Sequence, residues 1–241
     1  MNTDRPAYSM SAQTVRKGVF QIEAGLQLNN AADGHPTVSF LQAPTAQFRI
    51  GLSDFIELRI QNGINFRRGI FKSRLKASMD NFEMGLKFGL LRRNRANVSM
   101  VFQGIIPTAS GELHTLEAGG RFIVAVDHSI KKNGRIGYNF GSKLSSVDQN
   151  DPTFQAYYSV FYEHKMNSNL SIFAEAFHLF PNLEEFDTDV MELNTDFGLT
   201  YALTSNVQLD YSFGFGLLHQ MNFHSVGVSY RFKPSPKPRV H

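Results

Sequence analysis

The sequence contains no cysteine and no tryptophan, and its formal net charge is only +3. Without cysteine, a disulfide framework and a thiolate metal site are both excluded. A charge this small, with no basic face recurring along the chain, gives no reason to expect nucleic-acid binding. Long hydrophobic runs are also missing, because no stretch approaches the roughly 18 consecutive apolar residues of a transmembrane helix.

Aromatic residues are plentiful, whereas charged residues are scarce. Charged side chains make up 19% of the 241 residues, but there are 22 Phe and 8 Tyr. A composition rich in aromatic residues, with little that is typical of a helix, favours many β-strands. At this length, one large all-β domain and two small domains are both compatible with the sequence.

Residues 207–218, VQLDYSFGFGLL, alternate bulky apolar side chains with polar or small ones. Such alternation predicts a β-strand, because successive side chains of a strand point to opposite faces. In a soluble barrel the apolar face would cover a core, and in an outer-membrane barrel it would face lipid. The arrangement of all the strands has to distinguish these two cases.

Many segments of the chain alternate in this way, and clusters of Asn, Gly, Asp and Ser separate them in pairs. Twelve strands are predicted: 19–29, 45–52, 55–66, 81–91, 97–107, 117–129, 134–145, 153–164, 169–180, 194–203, 206–217 and 222–232. Short turns follow the even-numbered strands, and longer connections follow most of the odd-numbered ones. Connections sorted by length around an even number of antiparallel strands are typical of a transmembrane β-barrel.

The apolar face of the predicted strands carries no Asp, Glu, Lys or Arg in its middle, as a lipid-facing surface requires. The opposite face carries charges interleaved with Gly and Ser. The same division would suit a soluble barrel, but that barrel would enclose a very large apolar core without a helix to fill it. The sequence therefore favours an all-β fold, a transmembrane antiparallel up-and-down β-barrel of about 12 strands, closed by pairing of its first and last strands.

The predicted barrel spans residues 15–232, after an N-terminal segment of residues 1–14 and before a C-terminal tail of residues 233–241. The N-terminus lacks the basic and apolar regions of a signal peptide, so we expect the mature form of an exported protein with a start Met. Residues 1–14 would lie on the periplasmic side, where Asp4 and Arg5 would enter the barrel mouth as a partial plug.

Three motifs follow the order of the predicted strands. A D-R-P stretch precedes a first strand of the form G-x-x-Q-x-E-x-G, with residues Asp4, Arg5 and Pro6 and then Gly18, Gln21, Glu23 and Gly25. The hairpin FRIGLSDFIELRI supplies the second and third strands, and SVGVSYRF is the last strand. Together these motifs resemble the family of outer-membrane transporters grouped under the phenol meta-pathway degradation name.

The resemblance implies a transporter or channel of the Gram-negative outer membrane, without defining its solute. In the last strand Gly227, Tyr230 and Phe232 have the spacing of the signal that the barrel-assembly machinery recognises, which makes that machinery an expected partner. Such barrels usually stop at the terminal Phe, whereas this chain continues as KPSPKPRVH, either a periplasmic extension or an artificial addition.

The charged residues of the polar face are the main functional candidates, because they would line the lumen. They are nearly balanced in sign, so strong selectivity for anions or cations is not indicated. Two interpretations stay open: a lattice of salt bridges that holds a narrow barrel together, or the lining of a permeation path for small polar or aromatic solutes. The candidates are Glu23, Arg49, Glu57, Arg59, Glu83, Lys87, Arg121, Glu175, Asp210 and Arg231.

The long connections offer weaker candidates. The basic loop 67–80 would either bind lipopolysaccharide phosphates or be a solvated loop. The acidic loop 181–193 lacks a fixed ligand spacing for a divalent cation. The histidines near the same end of the barrel show no zinc-binding spacing, and they are His35, His114, His178, His219 and His224. We therefore expect neither a metal nor a cofactor.

No G-x-S-x-G, H-E-x-x-H or comparable catalytic motif is present. We therefore expect not an enzyme but a passive outer-membrane channel or transporter for small solutes, aromatic compounds and organic acids among them, with outer-membrane lipids and lipopolysaccharide as surroundings. Two alternatives stay open. A barrel enzyme acting on lipid or peptide would have a plugged lumen and a polar cluster at the outer leaflet, and a non-transporting structural barrel would have a blocked lumen.

Overall fold

The computed structural model describes residues 1–31, 38–68, 75–93, 95–130, 133–147, 152–180, 192–218 and 221–232. These described residues form β-strands and contain no α-helix. The strands are β1 (Phe20–Ala31), β2 (Val38–Gly51), β3 (Ile56–Arg68), β4 (Leu75–Met79), β5 (Phe82–Arg92), β6 (Ala96–Ile106), β7 (Ser110–Gly111), β8 (Glu117–Ile130), β9 (Gly134–Val147), β10 (Thr153–Lys165), β11 (Leu170–Phe180), β12 (Glu192–Ala202), β13 (Val207–Gly216) and β14 (Met221–Phe232). Within the described ranges, no helix is long and apolar enough to cross a membrane.

All strands except β4 and β7 close into one antiparallel ring. The first strand, β1, pairs with both β2 and β14, and β2 also pairs with β3, so the sheet returns on itself. The closing register runs from Phe20 opposite Phe232 to Ala31 opposite Met221. Closure satisfies the backbone groups that lipid cannot satisfy. The predicted twelve-stranded antiparallel barrel is confirmed.

The two rims of the barrel differ in their connections. One rim carries connections of three or four residues, between β2 and β3, β5 and β6, β8 and β9, β10 and β11, and β12 and β13. Phe20, where β1 begins, and Phe232, where β14 ends, also lie at this rim, which is named the short-turn rim. The opposite rim of the barrel is named the long-loop rim. The predicted sorting of connections by length is thus present, and the predicted exception is present too, since only four residues join β13 to β14 at the opposite rim.

Two predicted loops are wrong in their extent. Residues 30–44 were expected to form a loop, but β2 already begins at Val38 and continues through Pro44. Proline has no N–H for the ladder, and the register with β3 shifts between Gln42 and Thr45 to accommodate it. Residues 67–80 were also expected to be a loop, but β4 pairs with the end of β3, and β7 pairs with β4.

The barrel is apolar outside and polar inside. Phe102, Phe140 and Phe197 are 51%, 58% and 48% exposed, as is typical of the lipid-facing surface of a transmembrane barrel. Near the short-turn rim, Phe232 lies with its ring centroid 5.4 Å from that of Phe20 and 4.4 Å from that of Tyr230. Aromatic side chains at this level are typical of the interface between lipid and water.

Glycines of the inner face receive aromatic rings from neighbouring strands. A Cβ atom at Gly141 would lie only 2.0 Å from the ring of Tyr157, and one at Gly214 only 2.3 Å from the ring of Phe223. The absent side chain lets the ring lie flat against the wall instead of standing in the lumen. In the described strands these pairs are Gly137 with Phe161, Gly141 with Tyr157, Gly198 with Phe173 and Gly214 with Phe223.

Candidate functional site: the barrel lumen

Residues 1–19, named the inner segment here, lie inside the barrel. Near the short-turn rim the segment joins the wall at Gly18, whose N–H donates to the carbonyl oxygen of Gly51 at 2.8 Å. Gly18 has a φ of +75°, which residues with a Cβ rarely adopt, and this conformation starts the turn into β1. Farther up the lumen, the ring of Tyr8 stacks on Phe177 with 4.3 Å between centroids.

Acidic and amide side chains of the wall accept the backbone N–H groups of the inner segment. Glu175 accepts from Tyr8 and Ser9, at 2.7 and 2.8 Å. Glu57 accepts from Val15 at 2.7 Å. Glu23, Asp127 and Asn139 accept in the same way from Asp4 and Arg5, from Ala12 and from Met10, respectively. Only the end of the segment, at Gly18 and Val19, bonds the backbone of the sheet, so these side chains satisfy the buried backbone of the rest.

A compact charge network holds the beginning of the inner segment. Asp4 lies 2.6 Å from Arg59 Nη2 and 3.5 Å from Arg49 Nη1. Arg49 also bonds Glu23 and Glu57, both at 2.8 Å. Burial alone would raise the pKa of Asp4, but the nearby charges of Arg49, Arg59 and Lys87 outweigh it and hold that pKa well below its ordinary value.

The next side chain, Arg5, lies flat on two glycines where the barrel closes. Gly25 and Gly227 face each other across β1 and β14. A Cβ at either position would approach the Arg5 guanidinium, at 2.2 Å for Gly25 and 2.4 Å for Gly227. From this slot Arg5 Nη2 donates to Ser225 Oγ at 2.8 Å and to Asp210 Oδ1 at 3.2 Å.

The structure divides the predicted lumen residues into two groups. Some contact the inner segment directly, and they are Glu23, Arg49, Glu57, Arg59, Lys87, Glu175 and Asp210. The others lie apart from it: Arg121 bonds Glu83 at 2.8 Å, and Arg231 donates to Gln21 at 2.9 Å. A role of either group in permeation stays a prediction.

Two residues that hold the inner segment were not among the candidates. Asp127 and Asn139 are 1% and 0% exposed and accept N–H groups from Ala12 and Met10. Their inward positions follow from the alternation of β8 and β9. Their function does not, because the partner lies more than a hundred residues away along the chain.

The inner segment separates two cavities in the lumen. The long-loop cavity has a volume of about 390 Å³, and its lining includes Tyr8, Tyr157, Phe177 and Phe223. The short-turn cavity has a volume of about 270 Å³ and a largely polar lining that includes Arg135, Glu163 and several Ser residues. Residues 4–7 of the inner segment border both cavities. A solute moving between these two cavities would pass this part of the chain.

The remaining candidates have diverse positions. Tyr230 and Phe232 face outward near the short-turn rim, whereas Gly227 faces the lumen under Arg5. His224 bonds Tyr211 on the outer face at 3.0 Å, and the described ranges contain no group of three or more His, Cys, Asp or Glu arranged for a metal. His35, His219, Lys72, Arg74, the tail 233–241 and most of loop 181–193 lie outside the described residues.

The fold is a closed antiparallel β-barrel, the fold of outer-membrane channels and porins. The structure is similar to an outer-membrane channel from Pseudomonas putida F1, with a TM-score of 0.73 and 10% identity over 94% of this chain and 100% of that one. It is also similar to the KdgM porin in complex with disordered oligogalacturonate, with a TM-score of 0.57 and 9% identity over 88% and 99%. The NanC porin gives a TM-score of 0.58 and 8% identity over 87% and 98%.

Residues 3–232 match the family described as "Putative MetA-pathway of phenol degradation". Because the match covers nearly the whole described barrel, the chain belongs to this family, and the resemblance read from the three motifs is confirmed. Among curated proteins, none matches the chain.

Proposed function

We propose that this protein is a passive channel for small solutes in the Gram-negative outer membrane and that the inner segment controls passage through its lumen. The observation that carries the proposal is the division of the lumen into two cavities with residues 4–7 between them. In this arrangement the short-turn rim is periplasmic and the long-loop rim extracellular, as in other barrels with connections of unequal length.

The lining of the long-loop cavity supports aromatic solutes better than organic acids. Tyr8, Tyr157 and Phe177 present ring surfaces there, with 5.3 Å between the centroids of Tyr8 and Tyr157. Arg121, a cation in the same lining, is already paired with Glu83. An acid would have to compete with that carboxylate, so the expectation of organic-acid uptake has no support in the described cavity.

Catalysis is not part of the proposal, because the similar solved structures named above are channels and porins. Lipids, lipopolysaccharide and the barrel-assembly machinery remain the partners we propose. The outward aromatic residues near the short-turn rim would contact lipid, and Tyr230 and Phe232 in β14 would be presented to the assembly machinery.

A non-transporting barrel is the second candidate, and one observation favours it. The inner segment is held over its whole length, by Asp4 with Arg59, by Ser9 with Glu175 and by Thr14 with the carbonyl oxygen of Asp54. A segment bonded at so many points would block the lumen permanently if none of these contacts opened.

The experiment that separates the two candidates is single-channel recording of the refolded protein in planar bilayers. The full chain should show a small conductance, and deletion of residues 2–12 should raise it several-fold because the two cavities then join. Deletion of residues 233–241 serves as a control that removes a comparable length from the other end of the chain. If verified barrels lacking residues 2–12 conduct no more than the full chain, the inner segment does not control passage.

A further inference from the structure

Most charged side chains in the described lumen have a partner of opposite charge. The pairs include Arg5 with Asp210, Arg135 with Asp127 and Glu163, and Lys143 with Glu117. Glu175 and Asp196 differ, since neither forms a salt bridge with any residue of the described ranges. They lie directly opposite each other across β11 and β12. Two acids in this relation repel each other unless something positive lies between them.

Asp196 is the acid without any donor. Its side chain is nearly inaccessible, with the residue only 1% exposed. No ordinary donor of the described structure reaches either carboxylate oxygen, and the carboxyl group of Glu175 lies within hydrogen-bonding reach. Glu175 is satisfied in part by the N–H groups of Tyr8 and Ser9. A buried carboxylate with no donor carries the full cost of leaving water, so Asp196 either shares a proton with the neighbouring Glu175 or binds a positively charged ligand.

The surroundings of Asp196 fit a positively charged ligand. The residue lines the long-loop cavity of about 390 Å³, so a ligand can reach it from the extracellular side. Both cations of that lining, Arg5 and Arg121, are paired with Asp210 and Glu83. The opposing residue in β13 is Gly214, and its missing side chain places Asp196 beside the ring of Phe223. A carboxylate next to an aromatic face is a suitable environment for an ammonium group.

We infer that Glu175 and Asp196 form a binding site for a monovalent cation, which Asp196 takes from the long-loop cavity. The positive charge is supplied either by the amino group of a solute, with its apolar part against Phe223, or by an alkali-metal ion. The inference deepens the proposed function, since it assigns the channel a preference for positively charged solutes. This cation preference differs from the sequence-based prediction, in which the positive and negative charges of the lumen are nearly balanced and no strong ion selectivity is indicated.

Calorimetry of the refolded full chain in detergent at low salt tests the site without requiring conduction. The probe is benzylamine, which is positively charged at neutral pH, and benzyl alcohol is the uncharged control of nearly the same shape. The amine should bind and the alcohol should bind at least tenfold more weakly, because a bond to a charged group supplies most of the affinity. Titration of the amine in increasing KCl and in N-methylglucamine chloride distinguishes the two sources. Screening weakens amine binding equally in both salts, whereas potassium displaces the amine more strongly only if the site takes an alkali-metal ion.

Asp196→Asn should weaken amine binding about tenfold while the barrel still folds, because Asp196 has no partner to lose. Glu163→Gln is the matched control: it removes one lumen charge that is already paired with Arg135, and binding should be unchanged. Asp196→Ser is a second variant in case the amide does not fold. Equal affinities for amine and alcohol together with a reversal potential that Asp196→Asn leaves unchanged, or equal amine binding by wild type and Asp196→Asn, would mean that Asp196 only holds a proton, and the inference would be wrong.

The reversal potential in a KCl gradient separates this inference from the proposed function. A conducting channel should prefer cations, and Asp196→Asn should shift the reversal potential towards zero. Amine binding without conduction would support the cation-binding site and contradict the proposed channel function. Conduction without amine binding or cation preference would leave the channel intact and contradict the site.

Discussion

Two parts of the barrel wall differ in the number of hydrogen bonds that their buried carboxylates accept. On β1 and β3, each oxygen of Glu23 and Glu57 accepts two hydrogen bonds, from arginines, Gln21 and the inner segment. On β12, both oxygens of Asp196 accept none from the described residues. The first part is named the network wall and the part formed by β11–β13 the acidic wall.

The two walls differ in hydrogen bonding because of the strand register, which decides which charged residues face each other, and not because one wall lacks acids. On the network wall, Arg49 and Arg59 are opposite each other on adjacent strands, with Glu57 two positions before Arg59, so cations and acids interleave. On the acidic wall, the register places Glu175 opposite Asp196 with no cation between them. The network wall therefore holds the inner segment in its docked position, whereas the acidic wall has carboxylate oxygens that can still accept a bond from a ligand.

Breaking the network wall should have the largest effect. Arg49→Ala removes a guanidinium that bonds Glu23 and Glu57, and leaves those buried acids short of a partner. We expect a loss of about 3–5 kcal/mol in the free energy of unfolding, as for other broken buried pairs. Because the chain has no Trp, unfolding in denaturant is best followed by circular dichroism. Arg231→Ala, which removes only a bond to Gln21, is the control and should cost much less.

Removing the charge of Asp4 should weaken docking of the inner segment more than it weakens the barrel. Asp4→Asn loses charged bonds to Arg59 and Arg49, worth about 1.5–3 kcal/mol. Labelling of a cysteine introduced as Ala7→Cys reports docking, because the natural chain has no cysteine. The label should react faster in the Asp4→Asn background.

The pH dependence of this contribution has a definite sign. The pKa of docked Asp4 is lowered by Arg49, Arg59 and Lys87 against the effect of burial, so its stabilisation is complete above its ordinary pKa of about 3.9 and is lost only as pH falls well below it. The ratio of the labelling rates of the Asp4→Asn variant and the chain with its natural Asp4 should therefore stay constant from neutral pH down to about pH 5, because the falling thiolate fraction slows both reactions equally. A ratio that approaches unity within this interval would contradict the charge network as its cause.

Filling the slot of Arg5 should have a smaller effect. In Gly227→Ala the three atoms nearest to the new methyl group all belong to the flexible guanidinium of Arg5, so the barrel should remain stable while Arg5 loses its bonds to Asp210 and Ser225, worth about 1 kcal/mol. Labelling at position 7 should rise modestly. Gly104→Ala is the control, because the nearest atom to its added Cβ is 3.8 Å away.

The smallest change in stability should come from the acidic wall. Asp196→Asn removes a charge that has no donor and that faces Glu175, so the free energy of unfolding should change by less than about 0.5 kcal/mol or increase slightly. Glu57→Gln makes a similar chemical change on the network wall, where it should destabilise the barrel clearly. Equal losses in the two variants, measured by the same denaturant titration, would remove the distinction between the walls.

The alternation of apolar and polar residues was sufficient to predict the barrel and the face of each lumen residue. It could not reveal that β2 passes through Pro44, since a register shift depends on the neighbouring strands. The alternation also could not predict where the inner segment lies. That segment is not a strand but irregular chain held by side chains of the wall, so its sequence has no periodicity. The charges of Asp4 and Glu57 were visible in the sequence, but their proximity follows from closure of the ring.

The position of Arg5 also has a consequence for the order of assembly. Its slot is built from Gly25 in the first strand and Gly227 in the last, and its bond to Ser225 spans 220 residues of sequence. The earliest part of the chain therefore has no complete docking place until the final strand has joined the first, and contacts of such long range form late. In a barrel that is still assembling, the inner segment would not be docked in the lumen until β14 pairs with β1. Arg5 bound in its slot therefore indicates that the barrel has closed.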